Sequence, residues 1–196
     1  MTQDLAAEPD SQRLLDAVLS LLSRQGLVTE AELAERVRLT DAASPAQGAR
    51  MVARAWLDPN YRVQLLSDGA KAAEMLGIPM RGMPPLGVLE NRHGLHHLVV
   101  CTLCSCYPRA VLGYPPFWFK SSAYRARAVR DPRATLAEWG TRLPEATRVH
   151  VVDSTADYRW MVLPIRPEDT DDWDEARLAS IVRETDMIGV TVPRAR

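Results

Sequence analysis

Every cysteine in the chain falls inside one six-residue stretch, Cys101-Thr102-Leu103-Cys104-Ser105-Cys106, within "VVCTLCSCYP". With no distant cysteine to pair with, a disulfide could close only a loop of a few residues and would add little stability. The chain must therefore fold on a hydrophobic core, for which 196 residues and a 46% hydrophobic share suffice. That leaves the thiols free for chemistry. Three of them so closely spaced form the pattern of a metal or redox site rather than of a secreted disulfide scaffold.

Composition narrows the function classes. The formal net charge is −1, with 25% charged residues, so electrostatics offer no reason to expect nucleic acid or an anionic membrane as partner. The N-terminal "MTQDLAAEPDSQ" is acidic and lacks the apolar stretch of a signal peptide. No apolar run approaches the ~20 residues of a membrane span. A cytoplasmic protein without nucleic-acid or membrane partners is expected.

The residue pattern reads as α+β, with an N-terminal helical arm over 1–40 and a mixed, layered catalytic domain over 41–196. Leu14, Leu15, Val18, Leu19 and Leu22 form one stripe of a helix over Arg13 to Gln25, stopped by Gly26. Thr29 and Glu32 have the spacing of a capping box for a second helix through Val37. These two helices have little core of their own, which suits an arm packed on a partner, and a polar "DAAS" linker follows. Ser44-Pro45 and Asp58-Pro59 each start a further helix, and "GAKAAEMLG" gives another, closed by Gly77. Strands are predicted at Leu86 to Glu90 and at Leu95 to Val100, the second buried and delivering Cys101. After the cysteines come a loop and two short helices, broken at Asp131-Pro132 and ended at Gly140. Arg148 to Asp153 and Tyr158 to Leu163 are predicted to pair as a hairpin across "STAD". A short helix near Trp173 to Arg183 precedes a last strand, Ile188 to Val192.

A structural zinc site needs four tetrahedral side-chain ligands, normally from two knuckles. Here there is one knuckle; a fourth ligand would have to be His93, His96 or His97, and Cys104 and Cys106 are too close to span a tetrahedron comfortably. A Cys-x-Cys pair offers a different geometry. The sulfurs of Cys104 and Cys106 and the backbone nitrogens of Ser105 and Cys106 can lie in one plane around a metal, closing two five-membered chelate rings and one six-membered ring. That plane requires deprotonated peptide nitrogens, which favours a small trivalent ion, Co(III) or Fe(III), over zinc. Cys101 can supply an axial thiolate, leaving one position open to water or substrate.

"VCTLCSCYP" followed by "LGYPPFWFKSSAYRARAVRDPR" strongly resembles the α subunit of nitrile hydratase and the related metal-bearing subunit of thiocyanate hydrolase. "GARMVARAWLDPNY" and "DSTADYRWMVLPIRPEDTDDW" extend the likeness over most of the chain. The resemblance implies that Cys101, Cys104, Ser105 and Cys106 hold the metal. It also implies that Cys104 and Cys106 are oxidised, to sulfinic and sulfenic acid respectively. Thr102, where the iron branch usually has serine, and Tyr107 point to cobalt, as Co(III), with Fe(III) the alternative. The implied reaction hydrates a small nitrile to its amide, with the Cys106 sulfenate oxygen or hydroxide attacking carbon and Ser105 orienting the groups. The implied partners are a β-type subunit contributing arginines and part of the pocket, and a cobalt-loading activator. Arg109 stands where many nitrile hydratases have tryptophan and resembles the thiocyanate hydrolase pattern, so that activity is the second expectation. A non-catalytic metal or redox module is the third.

The remaining features have plainer readings. The basic run Lys120, Arg125, Arg127, Arg130 and Arg133 is a partner-binding face or a solvated helical face. His96 and His97 are expected to pack and hydrogen-bond on a buried strand. "PPFWF" is expected in the core or a subunit interface, and Ser121 and Ser122 as helix caps.

Overall fold

The structure, a computed structural model, describes residues 9–195. The acidic stretch read as lacking a targeting signal lies largely outside them. The described residues fall into two compact units divided after Ala42, and together they form a mixed helix-and-strand architecture.

The first unit holds α1 (Pro9–Arg24) and α2 (Glu30–Ala42). Leu14, Leu15, Val18 and Leu21 on α1 are exposed, and α2 has no buried residue. The expected capping box opens α2: the Thr29 N–H donates to Glu32 Oε2 at 2.9 Å and the Glu32 N–H to Thr29 Oγ1 at 3.2 Å. α2 runs past Val37 into the tetrapeptide read as a linker. Neither glycine nor proline interrupts it there, and the Thr40 hydroxyl bonds back to the Arg36 carbonyl.

In the second unit, proline starts α3 (Pro45–Leu57) and α4 (Pro59–Ser67), and Asp58 and Asp68 cap α4 and α5 (Gly69–Met75) with their carboxylates. α3 carries six buried residues and packs against α4. Strands β1 (Leu86–Glu90) and β2 (Leu95–Val100) follow as read. The segment after the cysteines is more helical than expected. It forms α6 (Arg109–Leu112), α7 (Phe117–Lys120), α8 (Ser122–Arg130) and α9 (Pro132–Glu138), with the last two divided at Asp131.

The predicted hairpin does not form. β3 (Arg148–Asp153) pairs in parallel with β2, and β4 (Arg159–Leu163) pairs in parallel with β1, giving two two-stranded sheets. Leu98, Val99 and Val100 on β2 are almost completely buried, so their backbone groups need a partner strand. β3 supplies it after a crossover through α6–α9, and the Ser154-to-Tyr158 connection carries the chain to the other sheet. The Ser154 N–H closes on the Val100 carbonyl at 2.7 Å. Nearness in sequence suggested a hairpin; burial of the first two strands decided otherwise.

The expected last strand is also absent. After α10 (Glu175–Ser180), which is shorter than the predicted helix, α11 (Glu184–Ile188) ends on Gly189 in the left-handed conformation, φ +85°. Met187, Ile188 and Val190 are fully buried around that turn. A short apolar run is ambiguous between strand and helix end, and the left-handed glycine settles it. Among the described residues no helix is long and apolar enough to cross a membrane.

The Gly189 turn lies against β2, and a Cβ there would stand 2.0 Å from the His97 carbonyl oxygen. Gly189→Ala should therefore destabilise the protein by more than the ~1–2 kcal/mol of a left-handed residue alone. Gly77→Ala, at φ +74° with nothing within 4 Å of its Cβ, should cost only that backbone contribution. Chemical denaturation of both variants beside the wild type measures the difference.

Candidate metal centre

β2 ends at Val100, and the chain turns immediately into the cysteine loop. Parallel pairing sets Val100 opposite Asp153, the last residue of β3. Asp153 accepts hydrogen bonds from both the Thr102 N–H, at 3.0 Å, and the Thr102 hydroxyl. From α8, Arg125 Nη1 donates to the Leu103 carbonyl at 3.0 Å and to that of Thr102 at 3.5 Å. An irregular loop leaves backbone groups without regular partners; here a carboxylate and a guanidinium supply them. On the far side, the Tyr107 hydroxyl donates to Glu184 Oε1, and its ring packs edge-on against Phe119.

Within this frame the sulfurs of Cys101, Cys104 and Cys106 all lie within 4.8 Å of one another. Cys104 Sγ is 3.2 Å from Cys106 Sγ and 3.7 Å from Cys101 Sγ. Two sulfurs at right angles on a metal, each ~2.3 Å away, stand ~3.3 Å apart, and a tetrahedral pair ~3.8 Å apart. The Cys104–Cys106 spacing matches the right-angle arrangement. The Cys101–Cys104 spacing is instead close to the tetrahedral value; three sulfurs gathered this closely form a soft donor set for a thiophilic transition metal. The backbone N–H groups of Ser105 and Cys106 lower the pKa of the Cys104 thiol, and the Cys104 N–H donates to Cys101 Sγ at 3.3 Å.

The thiols differ. Cys101 and Cys106 are buried and Cys104 is exposed. Hydrogen bonding from the Cys106 thiol, then from the Ser105 N–H and the Cys101 thiol, holds Cys104 below the ordinary thiol value. Burial, chiefly, pushes Cys106 up to about 11, against which the Arg159 side chain beside its sulfur acts in the opposite direction.

Cys104, Ser105 and Cys106 form part of the wall of an open pocket of about 380 Å³. Met80, Met83 and Pro84 give it an apolar side, and among the described residues Arg109 and Arg159 are its cations and no carboxylate lines it. The Arg109 guanidinium lies over the Tyr114 ring, 5.3 Å from its centroid.

The three cysteines thus lie together in one loop, and among the described residues no histidine joins the group. His96 hydrogen-bonds Asn91 and the Gly189 carbonyl, and His97 bonds Asn91. Burial lowers the pKa of both. "PPFWF" divides: Phe119 is fully buried and Phe117 is 87% exposed. Ser121 caps α8. The basic run turns onto its own chain. Besides Arg125 on the loop, Arg127 pairs with Glu138 at 3.0 Å, and Arg133 reaches the carbonyls of Pro144, Glu145 and Thr147. Sequence reasoning missed Asp153 and Arg159 altogether. Their only signal was position, one at each end of the "STAD" connection, and it becomes readable only with the strand pairing known.

The Nitrile hydratase, alpha chain family model matches residues 9–191. The cobalt-containing nitrile hydratase subunit alpha of Pseudonocardia thermophila is 39% identical, with 100% of both chains covered. Among solved structures, a double mutant of the Fe-type nitrile hydratase from Comamonas testosteroni Ni1 is similar at TM-score 0.80 and 41% identity, covering 94% of this chain and 90% of that one. A recombinant thiocyanate hydrolase with partially modified cobalt centres is similar at TM-score 0.83 and 40% identity, covering 95% and 91%.

The contrast between the thiols predicts their order of reaction in metal-free protein. At pH 8 a thiol of pKa about 11 is ionised to only roughly one part in a thousand. Iodoacetamide at that pH should label Cys104 first, at least ~10-fold faster than buried Cys106. Raising the pH toward 11 should narrow the gap, because ionisation of Cys106 then rises. Peptide mass analysis over time reads the order.

Proposed function

Because the chain belongs to the nitrile hydratase alpha-chain family, we propose that it is the metal-bearing subunit of a cobalt nitrile hydratase, hydrating a small nitrile to its amide. The observation that most supports this reading is the gathering of three sulfurs within 4.8 Å of one another beside an open pocket that Cys104, Ser105 and Cys106 line. Cys101, Cys104 and Cys106 would hold Co(III) through sulfur, and Ser105 and Cys106 also through their deprotonated backbone nitrogens. When bound, the metal would supply Lewis-acid polarisation of the C≡N bond. Thr102, and the cobalt in the names of two of the relatives, favour cobalt over iron.

The chain's own residues take the remaining roles. Cys104 carries a sulfinic and Cys106 a sulfenic group, both on the cysteine oxidation ladder. The Cys106 oxygen, at the pocket wall, acts as base toward water or as nucleophile toward the nitrile carbon. The Ser105 hydroxyl orients the reacting groups. Met80, Met83 and Pro84 receive the apolar part of the substrate and limit water around it. The net change is R–C≡N plus H2O to R–CO–NH2. Exposed Leu103, at 86%, and Phe117 suit coverage by a β-type subunit that adds arginines to the pocket. A cobalt-loading activator completes the set of partners, and the arm over 1–40 is a further contact surface for them.

One observation favours a second reading. Arg109 puts a fixed positive charge in a pocket without acids, an arrangement suited to an anion such as thiocyanate. Holoenzyme produced with its partner in cobalt medium and assayed on both substrates separates the two: amide formation supports the first reading, and thiocyanate consumption without amide formation replaces it with the second. Cys106→Ala should reduce turnover by ~10³-fold or more while the circular dichroism of the chain stays native, because the residue sits on a loop and not in a regular element. Substantial residual turnover would remove Cys106 from the mechanism.

A further inference from the structure

Arg159 opens β4, where register places it opposite Leu86 and its N–H donates to the Pro85 carbonyl at 2.9 Å. Its backbone is therefore fixed by the sheet, and its side chain lines the same pocket as Cys104, Ser105 and Cys106. There the guanidinium meets the Cys106 sulfur, while its Nη1 is buried with no hydrogen-bond partner. Arg54 and Arg125 also have a buried nitrogen outside hydrogen-bonding geometry, but each guanidinium has a partner: Arg54 Nε pairs with Glu175 at 2.7 Å, and Arg125 bonds the loop carbonyls through Nη1. Among the described residues Arg159 has no ion pair, and the pocket contains no carboxylate to give it one. A thiol sulfur is a weak acceptor, and a guanidinium is a rigid fork of donors that stays charged. With its Nη1 buried and unpartnered, this half-buried group beside sulfur has one acceptor too few.

We infer that Arg159 is the positioning residue for the oxygen carried by Cys106, and that this chain therefore supplies one of the cations that hold the oxidised centre. The inference rests on the oxygenated Cys106 proposed above. Formation of that oxygen requires an external two-electron oxidant of the peroxide class. The thiolate sulfur bonds one peroxide oxygen, the O–O bond breaks, and the departing hydroxide takes the remaining proton: Cys–S⁻ plus H2O2 gives Cys–SO⁻ plus H2O. The product is a charged oxygen acceptor in place of a soft sulfur, and a charge-assisted bond from Arg159 fixes its direction. Arg109 does not duplicate the role, since it is exposed at the rim and stacks on Tyr114.

The test compares wild type, Arg159→Gln and Arg159→Lys as cobalt-loaded holoenzymes. It reads cobalt content, oxygen occupancy on Cys106 by peptide mass analysis, and kcat and KM separately. The glutamine variant should keep wild-type cobalt content and an oxidised Cys104. Cys106 in it should be bare or over-oxidised in most molecules, and kcat should fall ~10-fold or more with KM within ~3-fold. The lysine variant, retaining charge without the fork, should recover part of both. Wild-type oxygen occupancy and kcat in the glutamine variant would overturn the inference alone. Loss of cobalt and fold together in both variants would also overturn it, making Arg159 a structural support. Absence of oxygen from Cys106 in the wild type would overturn this inference together with the reading it rests on.

Discussion

The parallel pairing of β2 with β3 is the contact on which the site depends. It covers the backbone of β2, the most buried of the described strands, and the same register brings Val100 and Asp153 to one end of the sheet. One residue past Val100 the chain becomes a loop, and Asp153 is already in place to take the Thr102 N–H and hydroxyl. A shift of one residue would turn side chains to the opposite face and remove that carboxylate from the loop. The cysteine cluster is therefore positioned by a sheet and closed by side chains, in the usual division between rigid scaffold and functional loop.

Around that anchor the loop is held from independent directions. Arg125 reaches it from α8, whose aromatic neighbour Tyr124 ties the same helix to β2 by donating to the Val99 carbonyl at 2.7 Å. Tyr107 and Glu184 brace the exit of the loop against α11. These restraints act on backbone and flanking residues, so the sulfurs themselves remain available. The electrostatics follow the same plan. Thiolates and deprotonated amides would accumulate negative charge, and the pocket already presents arginines without competing acids.

Legibility followed the range of the interaction. Proline helix starts and the Thr29–Glu32 box were readable because each is settled within four residues. The hairpin between β3 and β4 was misread because adjacency is a local signal and parallel pairing is not. The strand at Ile188 to Val192 was misread because an apolar run reports burial without reporting backbone direction, and Gly189 turns that run into the end of a helix. Arg125 was visible only as one of several cations; its separate role came from where α8 lies.

By itself the sequence determined the cysteine cluster and its family. Chelate rings are fixed by covalent connectivity, and Cys101, Cys104, Ser105 and Cys106 are bound to one another through a few backbone bonds. What only the tertiary structure decided is which distant residues stand beside the cysteine loop. Asp153 and Arg159 lie more than forty positions away in the chain, and they reach the cysteine loop and its pocket because β3 joins β2 while β4 joins β1. Strand pairing of that kind is selected by burial of the whole core, a collective property that no short segment encodes.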